Sequence, residues 1–149
     1  MRAIVQRVAS ASVDVDGARI AGIGAGLLIY LGVGRNDDST HVEYLAQKIR
    51  FLRIFRDADD KMNLDVGDIN GAAIVVSNFS LYADARKGRR PAYLAAADPA
   101  EAETLYREFC DRLQETGIDV QKGRFQAMMA VSAVNDGPIN IMLDSEKLF

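Results

Sequence analysis

The chain has one cysteine and one histidine in 149 residues. A lone Cys110 excludes an internal disulfide framework. A lone His41 excludes a His-rich metal site and leaves a single imidazole for any His-dependent triad. No apolar run is long enough to span a membrane as a helix, and no signal peptide precedes the first strand, so a cytosolic protein is expected. A net charge of −3 carries no global signature for nucleic acid, so any RNA contact has to come from a local patch. Repeats, low-complexity segments and long linkers are absent too, and one domain over residues 1–149 is the natural count. The familiar catalytic signatures are missing: there is no Gly-x-Ser-x-Gly elbow and no His-Glu-x-x-His. Gly22-x-Gly24-x-Gly26 and Gly32-x-Gly34 open no helix in the spacing a nucleotide loop needs.

What is present is mostly strand. Ala3 to Val8 and Ala11 to Val15 are rich in β-branched residues. Asp16-Gly17 is a hairpin turn, and Arg19 to Ile23 is the return strand. Leu27 to Val33 is a continuous apolar strand of the kind buried on both faces. Asp38-Ser39-Thr40 caps a helix to about Phe51, with Val42, Leu45, Ala46, Ile49 and Leu52 at helical spacing. His41 falls in its first turn as a solvated residue. Leu52 to Phe55 reads as a strand, Lys61 to Leu64 as strand or loop, and Ala72 to Val76 as a buried strand leading into Ser77-Asn78-Phe79-Ser80. Asp98-Pro99-Ala100-Glu101 starts a second helix, with Asp98 as the cap, Pro99 at its first position and Gly117 as the stop. Ile118 to Gln121, Phe125 to Val134 and Ile139 to Leu143 are read as the closing strands. This order predicts an α+β fold: a curved, barrel-like mixed or antiparallel sheet with two packed helices.

Three stretches can carry chemistry. Ala85 to Pro91 places Arg86, Lys87, Arg89 and Arg90 in five residues around Gly88, either as a solvated loop or as a phosphate-contacting one. Ser77 and Ser80 lie at a strand end, where they serve as nucleophiles or, more ordinarily, as backbone-bonding residues. Backbone N–H groups of the same turn can form an oxyanion hole. Val134 to Asn140 contains Asn135-Asp136-Gly137-Pro138, which reads either as a hairpin turn or as a rigid wedge offering backbone carbonyls to a ligand.

Nearly the whole chain resembles the D-aminoacyl-tRNA deacylases. The matching segments are Met1-Arg2-Ala3 with Gln6-Arg7-Val8, Leu27 to Gly34, Leu52 to Phe55, Lys61-Met62-Asn63, Tyr82-Ala83-Asp84, Arg86 to Pro91 and Val134 to Pro138. The family's patterns Ser-Gln-Phe-Thr-Leu and Asn-x-Gly-Pro-Val-Thr stand here as Ser77-Asn78-Phe79-Ser80-Leu81 and Asn135-Asp136-Gly137-Pro138-Ile139-Asn140. The largest departure is Asn140, which replaces a β-branched hydroxyl beside the wedge.

The resemblance implies an enzyme without metal or cofactor that hydrolyses the ester of D-aminoacyl-tRNA, and of glycyl-tRNA mischarged on tRNA-Ala. It implies a homodimer with active sites at the interface. A cis Gly137-Pro138 would enter the partner's pocket, hold the α-amino group and exclude L side chains, with Arg7 bracing it. Phe79 and Ser80 would be the catalytic pair. Ser77 and Asn78 would contact the substrate, and Phe125 and Met129 would line the pocket for the terminal adenosine. Two alternatives remain open at this point: a non-catalytic tRNA-binding dimer, and a serine hydrolase pairing Ser77 or Ser80 with His41.

Overall fold

A computed structural model describes residues 1–149. The organising element is β1 (Arg2–Val15), which runs unbroken through both predicted N-terminal strands. Its first half pairs antiparallel with β3 (Gly26–Gly32), and its second half pairs antiparallel with β2 (Ala18–Ile23). Along its other edge lies β8 (Ala130–Asp144), also antiparallel. From β3 the sheet continues in parallel through β6 (Ala72–Ser77) to β7 (Asp119–Lys122), so it is mixed. The sheet curls until β2 reaches β7: the Gly22 N–H donates to Gln121 Oε1 at 2.7 Å. A small second sheet pairs β4 (Phe55–Arg56) with β5 (Met62–Leu64).

Strand periodicity builds two cores. Side chains alternate across a sheet, so Leu27, Ile29 and Leu31 face one side while Leu28 faces the other; Ala73 and Val75 oppose Ile74 and Val76 in the same way. The larger core lies between the sheet and the helices α1 (Ser39–Arg50) and α2 (Pro99–Glu115). The smaller one fills the barrel with Val8, Ala11, Val13, Ala21, Leu28, Ile74 and Val76. Cys110 is buried in the larger core, and burial pushes its thiol up to about 12.

The predicted helix caps differ in outcome. Asp38 caps α1: its carboxylate accepts from the N–H groups of Thr40 (2.9 Å) and His41 (3.3 Å), and the Asp38 N–H donates to His41 Nδ1 at 3.1 Å. The lone imidazole is therefore half of a capping box. At α2, Asp98 precedes Pro99 but makes no side-chain cap bond. Hydrogen bonds, first that of the Thr40 hydroxyl and also those of the Thr40 and His41 N–H groups, hold the Asp38 carboxyl down at about 2. A lowered carboxyl pKa stabilises the fold above the ordinary value of 3.8, and that contribution is lost as pH falls toward 2. Urea midpoints should therefore show Asp38→Ala less stable than wild type at neutral pH. The gap should close across the acid window; a gap constant down to pH 2 would contradict this role.

Two predicted strands and one predicted turn are corrected. Leu52–Ile54 folds back on the end of α1, with the Leu52 N–H on Ile49 O and the Ile54 N–H on Leu52 O, and only Phe55 enters a strand. Residues 125–129 form a turn with Gln126 at φ 60°, so the last strand begins at Ala130 and not at Phe125. The hairpin reading of 134–140 fails as well. The flanking segments do not pair with each other; both pair with β1, where Val8 faces Asn135 and Gln6 faces Asn140. The chain between them is a bulge thrown out opposite Arg7.

Candidate active site

The strands β3, β6 and β7 run parallel, so their C-terminal ends open on one side of the sheet. That is where ligand crevices form in parallel sheets. The residues that follow each strand line a single cleft of about 760 Å³: Val33 and Arg35 after β3, Ser77 to Phe79 at the end of β6, and Phe125 to Met129 after β7. The start of α2 (Asp98, Pro99) and Tyr93 complete the wall. Its size and mostly apolar lining suit a small-molecule site. The cleft therefore brings together Ser77, Asn78, Phe79, Phe125 and Met129 from the predicted set. Ser80, Gly137, Pro138, Arg7 and the cations of 86–90 lie outside its lining.

The local geometry explains why Phe79 faces the cleft. Phe79–Tyr82 is a 3-10 turn capped by Asn78. Asn78 Oδ1 accepts from the Ser80 N–H at 3.0 Å and from the Ser80 hydroxyl. The shorter amide at position 78 thus still closes the turn, and both Ser80 donors are used within it. None of the loop and cap hydrogen bonds uses the Phe79 N–H. The Phe79 ring is 61% exposed and meets Tyr93 edge-on at 4.9 Å. Phe125 packs against Tyr106 at 5.9 Å. His41, tied to Asp38, is not among the cleft residues, so neither Ser77 nor Ser80 has an imidazole base there.

The bulge is built separately. Gly137–Pro138 is a cis peptide, and Gly137 sits at φ 120°, a conformation open to glycine. Asn135 clamps the base: its Nδ2 donates to Arg7 O at 2.9 Å and to Ile139 O at 3.2 Å. Asn140, the largest departure from the family pattern, donates its Nδ2 to Asn135 Oδ1 at 2.9 Å and so belongs to the same clamp. Arg7 is only 4% exposed. Its Nη1 donates to Ile54 O at 2.6 Å, and its Nε lies 2.9 Å from Asp136 Oδ2 in an ion pair without an aligned hydrogen bond. Asp136, Gly137 and Pro138 are all exposed.

Arg7→Ala would leave the Ile54 carbonyl without its donor and Asp136 without its counter-charge. It should lower stability by about 1–3 kcal/mol. Arg7→Lys keeps the charge but not the two-pronged contact and should recover only part of the loss. Paired denaturant curves check this; an unchanged midpoint for Arg7→Ala would refute the bracing role.

The basic segment forms its own hairpin. Asp84 and Ala92 exchange backbone hydrogen bonds of 2.7 and 2.9 Å, and Gly88 at φ 75° turns the tip. Arg86 is held by Asp84 at 2.7–2.9 Å, and the hydrogen bonds from its side chain and then its backbone N–H pull the Asp84 carboxyl well below its usual range. Lys87, Arg89 and Arg90 are exposed without ion-pair partners.

Sequence reasoning missed Arg35, Tyr93, Gln126 and the start of α2 as cleft residues. The parallel pairing of β3 with β6 and of β6 with β7 would have pointed to them, but a sequence pattern alone does not distinguish it from antiparallel pairing.

The chain is similar to known proteins over nearly its whole length. The family model described as D-Tyr-tRNA(Tyr) deacylase matches residues 4–144. A D-aminoacyl-tRNA deacylase of Syntrophobacter fumaroxidans is 52% identical over 149 residues, covering 100% of both chains. One of Thermotoga petrophila is 50% identical at the same coverage. The solved structure titled c-Myc DNA Unwinding Element Binding Protein superposes with a TM-score of 0.92 at 36% identity, covering 97% of this chain and 98% of that one. A probable eukaryotic D-amino acid tRNA deacylase shares the fold at a TM-score of 0.80 and 15% identity, over 95% of this chain and 97% of that one. The chain belongs to the D-Tyr-tRNA(Tyr) deacylase family of hydrolases.

Proposed function

We propose that the protein hydrolyses the ester bond of D-aminoacyl-tRNA at a composite site, made of the cleft of one subunit and the Gly137-Pro138 bulge of its partner. The observation that carries this reading is the separation of the two halves. The bulge is exposed and braced, yet it takes no part in its own chain's cleft. A homodimer resolves this, because the bulge of one copy can close the cleft of the other. β8 supports such an interface: it is an edge strand with Val134 and Met142 exposed, and Met128 just before it is 91% exposed.

The chemistry follows from the groups at hand. An aminoacyl ester is already activated, so the site has to position a water and stabilise the oxyanion. The Phe79 N–H is the oxyanion donor. Water adds to the carbonyl carbon, the bond to the ribose 3′-oxygen breaks, and that oxygen leaves with a proton. The vicinal 2′-hydroxyl of the terminal ribose relays the proton. Ser80 shapes the turn beside Phe79. Phe125 and Met129 hold the terminal adenosine, with Ser77 and Asn78 on the facing wall. Backbone carbonyls of the partner's bulge hold the α-amino group, and their rigid position leaves no room for an L side chain. Glycine has no side chain to exclude, so glycyl-tRNA mischarged on tRNA-Ala is a substrate as well. Lys87, Arg89 and Arg90 draw in the tRNA backbone. No helix is long and apolar enough to cross a membrane, and the reading places the protein in the cytoplasm with charged tRNA.

The test compares deacylation of matched D-tyrosyl-, L-tyrosyl- and glycyl-tRNA. The reading predicts fast release from the D and glycyl substrates and protection of the L substrate. The relative named for DNA binding favours a second reading, a nucleic-acid-binding dimer without turnover. Saturable tRNA binding with no release from any of the three substrates would select that second reading.

A further inference from the structure

We infer that Arg35 anchors the phosphodiester on the 5′ side of the terminal nucleoside and thereby strengthens binding of the charged 3′ end. This rests on the reading of the cleft as the site for the 3′ end of charged tRNA. Among the residues that line the cleft, Arg35 is the only cation and Asp98 the only carboxylate. Most other arginines are neutralised in ion pairs: Arg2 with Asp144, Arg50 with Asp65, Arg107 with Glu103, Arg112 with Glu43, Glu108 and Glu115. Arg35 has no ion-pair partner. It is held by uncharged groups instead: its N–H donates to Ala95 O at 3.1 Å and its Nε to Ala96 O at 3.3 Å, beside the Gly34–Ala96 bridge.

That tether uses the Nε edge of the guanidinium and leaves the two terminal nitrogens free. A planar fork with free terminal donors matches two oxygens of one phosphate. The terminal nucleotide of a tRNA brings a single phosphodiester into a cleft this size, and nothing else in the lining can neutralise it. Without Arg35, Asp98 would be the only charge in the cleft, and it would repel that phosphate. The cations at 87–90 do not line the cleft and so act at longer range.

The test uses two small esters, 3′-O-D-tyrosyl-adenosine and the same compound carrying a 5′-phosphate, with wild type, Arg35→Ala and Arg35→Lys. Wild type should hydrolyse the phosphorylated ester with a KM about tenfold lower, an advantage that shrinks with salt. Arg35→Ala should raise that KM about tenfold, with kcat and the unphosphorylated ester unchanged, and Arg35→Lys should restore part of the difference. Equal losses on both esters would make Arg35 merely structural and overturn the assignment. So would a wild type indifferent to the phosphate, although the hydrolase reading would then stand. A wild type that cleaves neither of these esters nor D-tyrosyl-tRNA would remove the reading of the cleft, and this assignment with it.

Discussion

Replacing Phe79 by proline should lower kcat for D-aminoacyl-tRNA by about 10²–10³, the cost of losing one oxyanion donor, while Phe79→Ala should stay within a few-fold of wild type. The two variants remove the same exposed ring and its edge contact with Tyr93. They differ in the backbone: alanine keeps the N–H, and proline has none. The fold accommodates the change. Position 79 opens a 3-10 turn, where the fixed φ of proline suits the local backbone. Asn78, at φ −143° and ψ 89°, is already outside the helical region that a following proline disfavours. No loop or cap hydrogen bond is lost, because the Phe79 N–H makes none. Single-turnover rates with both variants read the effect. Equal rates for alanine and proline would assign the oxyanion to another group.

Gly137→Ala should remove most of the activity as well, by a different route. At φ 120° an L residue is strained, at a cost of about 1–3 kcal/mol. The added Cβ would stand 2.8 Å from Ile139 Cγ1 and 3.1 Å from Arg7 Nη2, so the bulge has to shift against its own brace. The bulge is exposed and lies outside the two cores, so the fold should persist, with the melting transition lowered by only several degrees. The carbonyls proposed to hold the α-amino group would move. We expect kcat/KM for D-tyrosyl-tRNA to fall about 100-fold, as for an ångström-scale misplacement of a catalytic contact, and the D/L ratio to fall with it. Unchanged kinetics on both stereoisomers would deny the bulge any part in selection.

Much of this arrangement is legible in the residues. The pattern of apolar strands with two capped helices announces the α+β class, and Gly117 at φ 92° ends α2 where glycine is expected. The turn chemistry of Asn135 to Pro138 marks the bulge, but not its form. A hairpin and a bulge use the same residues, and only the shared pairing of both flanks with β1 separates them. Phe125 and Met129 sit in a turn, not a strand, because Gln126 takes a positive φ that nothing in its residue type signals. Arg35 is invisible for a further reason: its meaning comes from an ion pair it does not make.

The claim that cleft and bulge are halves of one site is tested most directly by mixing the two inactive variants, Phe79→Pro and Gly137→Ala, and assaying D-tyrosyl-tRNA deacylation after subunit exchange. In a mixed dimer one site joins an intact cleft to an intact bulge, so random exchange should restore about a quarter of wild-type activity. Recovery to that level would establish that the bulge acts across the interface. A mixture no more active than its components, with exchange verified, would contradict it.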